Sequence, residues 1–135
     1  AGVKYSEILQ KTKEKLHVSG GWAVMQMIEA FDRGVHAIMP TGMHEIYCEI
    51  FSRYQQGKRA GALRLFNELL PVLAFSNQHL DISVHFYKRL LHAQGIYSTA
   101  KVRDPILPFD KTHEKMAETH INRVKVLIEE VSAKL

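Results

Sequence analysis

Two stretches decide how this chain is read: Leu16-His17-Val18-Ser19-Gly20-Gly21 and Arg33-Gly34-Val35-His36-Ala37-Ile38-Met39-Pro40. The first is short, alternates in polarity and ends on a glycine pair. The second carries the apolar run His36-Ala37-Ile38-Met39 and is stopped by Pro40. Short runs bounded by turn residues are the pattern of brief β-strands. Between them, residues 22–33 place Val24, Met25, Ile28 and Phe31 on one face of a helix, with Gly34 suited to its C-terminal cap. Strand, helix, strand is the order of a parallel α/β unit, because parallel strands need a long crossover that is usually helical.

Outward from this unit the chain reads as helices. On the N-terminal side, Ser6 is a candidate N-cap, followed by Tyr5, Ile8, Leu9, Thr12 and Leu16 on one face. On the C-terminal side, Thr41 is a candidate cap for a helix from Gly42 to about Gln55. Its Met43, Ile46, Tyr47, Ile50, Phe51 and Tyr54 follow helical spacing. A helix over 58–75 carries Pro71, which lacks an N–H and should kink it. Asp81 is a candidate cap for a helix to about Gln94, with Val84, Phe86, Tyr87, Leu90 and Leu91 apolar. Residues 101–109 contain Pro105 and Pro108 and must be extended. Asp110 caps a long last helix with Met116, Ile121, Val124, Ile128 and Val131 inward.

Two parallel strands do not make a sheet covered on both faces, so their companions are expected in a larger sheet or barrel. A full (β/α)8 barrel takes roughly 250 residues, and this chain has 135. The fold class expected is therefore α/β: a partial (β/α)8 barrel contributing its last two strands over residues 1–56, then a C-terminal helical region over 57–135. The absence of an initiator methionine fits a chain that is trimmed or one cut from something longer.

Composition removes several classes of function. No apolar run approaches the roughly 18–20 residues that span a bilayer, so no membrane partner is expected. A single cysteine, Cys48, excludes an internal disulfide and points to a reducing, cytoplasmic setting. The net charge of +4 is spread among acids, as in Lys13, Glu14 and Lys15, so no basic stripe suits nucleic acid. His44-Glu45 lacks the second histidine of a zinc-protease helix, position 48 being Cys48, so no metal is expected. Ser19 has no Gly-x-Ser-x-Gly surroundings, and a structural role at a strand end suits it better than a nucleophile's. Trp22 suits a pocket wall and a helix layer equally.

Leu16-His-Val-Ser-Gly-Gly-Trp22 followed by Arg33-Gly-Val-His-Ala-Ile-Met-Pro-Thr-Gly42 resembles the seventh and eighth βα units of the dihydrodipicolinate synthase and N-acetylneuraminate lyase family. Gly57-Lys-Arg-Ala-Gly-Ala-Leu-Arg-Leu-Phe-Asn-Glu-Leu-Leu-Pro71 and Val102-Arg-Asp-Pro-Ile-Leu-Pro108 are similar to later segments of that family, in the same order. The resemblance implies a Schiff-base lyase or synthase acting on pyruvate or another 2-oxo acid, with no separate cofactor, since a lysine forms the imine. It also implies a homo-oligomer. It places Ser19, Gly20, Gly21 and Ile38 against the bound 2-oxo acid. The family's Tyr-Asn-x-Pro and Gly-x-x-Gly-Glu motifs do not occur in this chain. Lys4, in Gly2-Val3-Lys4, resembles the imine lysine in local context. The 16 residues from Lys4 to Gly20 are nevertheless too few for a strand exit, a helix and the next strand. Residues 1–4 are accordingly expected in the loop entering a helix, with the imine lysine upstream of Ala1 and the chain inactive alone. The competing reading is a non-enzymatic helical interaction module built on the C-terminal helices.

Overall fold

The computed structural model describes residues 2–21 and 24–133. In chain order the elements are α1 (Gly2–Lys11), β1 (Ser19–Gly20), a 3-10 turn (Val24–Gln26), α2 (Met27–Asp32), β2 (Ala37–Ile38), α3 (His44–Gln55), α4 (Arg59–Ser76), α5 (Leu80–Ala93) and α6 (Lys111–Ser132). The chain is mostly helical, with one two-stranded parallel sheet among the described residues. Its residues divide into two compact units, 1–40 with 47–67 and 41–46 with 68–135.

In the first unit the two strands pair in parallel, Ser19 opposite Ala37 and Gly20 opposite Ile38. The pairing expected from residues 16–21 and 36–39 is present, but regular strand is confined to two residues on each side. Main-chain bonds continue it at both ends: His36 N–H donates to Val18 O at 2.9 Å, and Met39 N–H donates to Gly20 O at 3.1 Å. Beneath the strands, Leu9, Val18, Ala30 and Val35 form a buried cluster, with Tyr5 and Ile38 against it. α2 begins later than the sequence suggested, and Trp22 lies outside the described residues. Met27, Ile28, Ala30 and Phe31 are its buried side chains.

The chain passes from α2 to β2 through Gly34 at φ +84°. A side chain is strained in that left-handed conformation, and a Cβ there would lie 3.3 Å from Leu9 Cδ1. Behind α2, Phe31 meets Phe51 and Tyr54 at ring-centroid distances of 5.4 and 5.2 Å. Asp32 binds the Arg59 guanidinium through both oxygens and accepts the Tyr54 hydroxyl at 3.0 Å. The Arg59 hydrogen bond holds the Asp32 carboxyl below the usual carboxylate range, and burial opposes it.

Three of the expected helix starts are corrected. Ser6 lies inside α1, which already begins at Gly2, so residues 2–4 are helical and do not form a loop. The missing side chain of Gly2 lets this turn pack closely on α2: a Cβ there would fall 2.6 Å from Glu29 Oε1 and 2.8 Å from Arg33 Nε, inside the Glu29–Arg33 ion pair. Thr41 caps nothing, because Gly42 and Met43 are left-handed, at φ +65° and +51°, and helix cannot begin before His44. Met43 is fully buried, which offsets the strain of its backbone. α5 is capped by His79, whose Nδ1 accepts the Asp81 N–H. Asp81 instead accepts the Leu107 N–H at 3.0 Å, tying the proline-bearing segment to the helix.

In the second unit, Leu69, Val72 and Leu73 of α4, Phe86 and Leu90 of α5, and Val124 and Leu127 of α6 are buried. Asp110 caps α6 as expected, accepting the His113 N–H at 2.9 Å. Of the expected inward residues of α6, Val124 and Val131 are buried and Ile121 and Ile128 half-buried; Ala117 and Leu127 are buried as well, and Met116 is exposed. Val84 of α5 is likewise exposed. Residues 101–109 contain neither helix nor strand.

Candidate functional site at the strand ends

The parallel register brings Gly20-Gly21 and Ile38-Met39 out at the same end of the sheet. Ser19 is exposed, Gly20 is buried, Gly21 is exposed and Ile38 is half-buried against the Leu9 cluster. Met39 is 68% exposed at the rim. All four residues expected at a 2-oxo acid therefore stand on, or one residue beyond, two adjoining strands. A Cβ at Gly21 would meet no atom within 4 Å among the described residues. Main chain free of a side chain is what a ligand needs for close approach.

Lys4 is not brought to these strands. It sits in the first turns of α1, exposed to solvent. α1 itself is held against α2 by Arg33, which donates to Ser6 Oγ at 3.1 Å and to Glu29 Oε1 at 2.9 Å. Among the described residues the other lysines of the first 40 positions are Lys11, at the end of α1, and Lys13 and Lys15 in the turn after it. No amine therefore stands on either strand. Nor do three His, Cys, Asp or Glu side chains converge on a point that could hold a metal among the described residues. Cys48 is exposed and unpaired on α3.

The opposite end of the sheet holds an arrangement the sequence did not signal. Val18 N–H donates to His36 Nδ1 at 3.1 Å, and the His17 ring stacks on His36 with centroids 4.8 Å apart. Nothing in the spacing of two histidines nineteen residues apart indicates that one of them completes a main-chain pairing.

No family model and no curated protein sequence matches the chain. A solved structure does: dihydrodipicolinate synthase from Rhodopseudomonas palustris superimposes with a TM-score of 0.79 over 90% of this chain, at 19% identity. This chain carries part of the dihydrodipicolinate synthase fold. It spans 42% of that enzyme's length, so the small α/β unit and the helices after it correspond to a portion of the synthase. No helix among the described residues is long and apolar enough to cross a membrane.

Proposed function

We propose that this chain is the C-terminal portion of a Schiff-base lyase or synthase of the dihydrodipicolinate synthase type. In this reading β1 and β2 are the last two staves of the barrel. Ser19, Gly20, Gly21 and Ile38 form main-chain wall around a bound 2-oxo acid at the C-terminal face, where barrel enzymes build their sites. The observation that carries the reading is the parallel pairing of Gly20 with Ile38 in a chain that superimposes on that enzyme.

The imine needs a lysine whose amine reaches the ketone carbon. Since Lys4 is exposed on α1 and no lysine stands on the strands, that amine comes from the part of the barrel that this chain does not span. The chain alone is then inactive and contributes shape, backbone donors and acceptors, and exclusion of water. The parent assembly is a cytoplasmic homo-oligomer needing no cofactor beyond the substrate's own imine.

Incubation with pyruvate and borohydride, followed by mass measurement, tests this in two arms. The chain alone gives no adduct. Fused behind the portion of the Rhodopseudomonas palustris enzyme that it does not match, it supports an adduct on a lysine of that portion, and Gly21→Val in the fusion abolishes it. An adduct on Lys4, or a folded fusion that traps no pyruvate, overturns the proposal.

A further inference from the structure

The first unit contains a concave site at the end of the sheet away from Gly21 and Met39. It is a cavity of about 360 Å³, within the roughly 300–1,000 Å³ range of small-molecule sites. Ser6, Leu9 and Gln10 of α1, Glu14 of the following turn, and Arg33 and His36 of the segment between α2 and β2 line it. Three features set the chemistry of this lining. Arg33 spends one N–H on Glu29 and one on Ser6, leaving further guanidinium donors unassigned. His36 accepts the Val18 N–H at Nδ1, so its neutral ring carries the proton on Nε2 and offers a donor there. Glu14 supplies the negative group.

The backbone that presents Glu14 is unusual. Lys13 and Glu14 are both left-handed, at φ +50° and +58°, in succession and without a glycine. Side chains rarely adopt this conformation, and strained non-glycine residues concentrate at ligand sites. The turn is held by Glu14 N–H donating to Leu9 O at 2.9 Å. It fixes Glu14 at the cavity when a glycine would have made the same turn without strain.

We propose that this cavity binds a small α-amino acid as its zwitterion. The carboxylate is received by Arg33 and the Nε2–H of His36, the ammonium by Glu14, and the short side chain lies against Leu9. Opposed charges in one cavity of this volume match a ligand that carries both; an anion alone would face Glu14 and a cation alone would face Arg33. The site does not rest on the proposed lyase function, and its test needs no catalysis.

The test is a titration of the isotopically labelled chain by NMR, following the Gly34 amide and the His36 ring, with L-alanine, acetate and methylamine in separate arms. Alanine produces saturable shifts, and binds at least about tenfold more tightly than either single-charge probe. Glu14→Gln weakens alanine by about tenfold and, by removing a like charge, strengthens acetate. Glu14→Gly keeps the left-handed turn without its strain: it folds at least as stably as the parent and loses alanine binding. Acetate binding as tightly as alanine, no saturable response to alanine, or unchanged alanine affinity in either Glu14 variant overturns the proposal.

Discussion

Replacing three glycines by alanine separates two costs that the backbone imposes around the sheet. Gly21 has no left-handed φ and, among the described residues, nothing within 4 Å of a Cβ. Gly57 is left-handed, at φ +73°, with nothing within 4 Å of a Cβ. Gly34 is left-handed, at φ +84°, and its Cβ would sit 3.3 Å from Leu9 Cδ1 in the buried cluster. Holding an L-residue in the left-handed region costs about 1–2 kcal/mol. Restricting the unfolded chain returns about 0.4–1 kcal/mol where the native backbone accepts alanine. Gly21→Ala should therefore be neutral or stabilising by a few tenths of a kcal/mol, and Gly57→Ala should destabilise by about 1 kcal/mol. Gly34→Ala should destabilise by about 1.5–2 kcal/mol, the extra part coming from Leu9 giving way. Urea unfolding monitored by circular dichroism is the assay. With a slope of about 2 kcal/mol per molar, the midpoint should fall by about 0.5 M for Gly57→Ala and about 0.8–1 M for Gly34→Ala. The slope itself should be unchanged. Equal shifts at 34 and 57 would show that Leu9 does not confine residue 34. A Gly34→Ala midpoint within about 0.2 M of the parent would refute the left-handed linkage between α2 and β2 altogether.

Two further predictions concern charge. The Asp32 carboxyl, lowered chiefly by its hydrogen bond to Arg59, contributes stability that is present above its unfolded value. That contribution should disappear as the pH falls through the lowered native value, and thermal unfolding of Asp32→Asn should show a flatter profile between about pH 5 and pH 2. Tyr54→Phe, which leaves Arg59 in place, should cost about 1 kcal/mol by the same measurement at pH 7. His120 is held below the usual histidine range by burial, with its ring 5.0 Å from that of Phe75. Its neutral form favours the fold, so stability should be lost as the pH falls from about 7 through the depressed native value. His120→Gln should remove that slope in acid-titrated melting curves, and an unchanged slope would exclude the residue as its source.

The helices of the second half were readable because each presents a long apolar stripe at helical spacing. α4 runs through Pro71 with little change from the expected 58–75, and Asp110 opens α6 as its side chain suggested. The strand pair was readable from its glycine and proline punctuation. What escaped the sequence were competitions between partners. Asp81 is an apt cap by type, but its carboxylate is taken by Leu107, and His79 substitutes. Ser6 is an apt cap too, but its hydroxyl accepts from Arg33, 27 residues away. The burial of Ala117 in place of Met116 at the start of α6 follows from packing, since hydrophobicity alone favours methionine inside. At the strand ends, the pairing that sets Gly20 beside Ile38 could be read from motif and order. The cavity lined by Glu14 could not, because consecutive left-handed residues without glycine leave no mark in a sequence.

The imidazole of His36 stands where a parallel sheet would offer a carbonyl oxygen to the Val18 amide. One rung of the ladder is thus written in the genetic code as a side chain, and an amino-acid replacement at position 36 alters hydrogen bonding that elsewhere in proteins is indifferent to residue identity. Phenylalanine or leucine there would match histidine in bulk and still strand the Val18 amide, whereas asparagine, with its own acceptor, could keep the rung. Tolerance at this position should therefore follow acceptor capacity and not size or hydrophobicity.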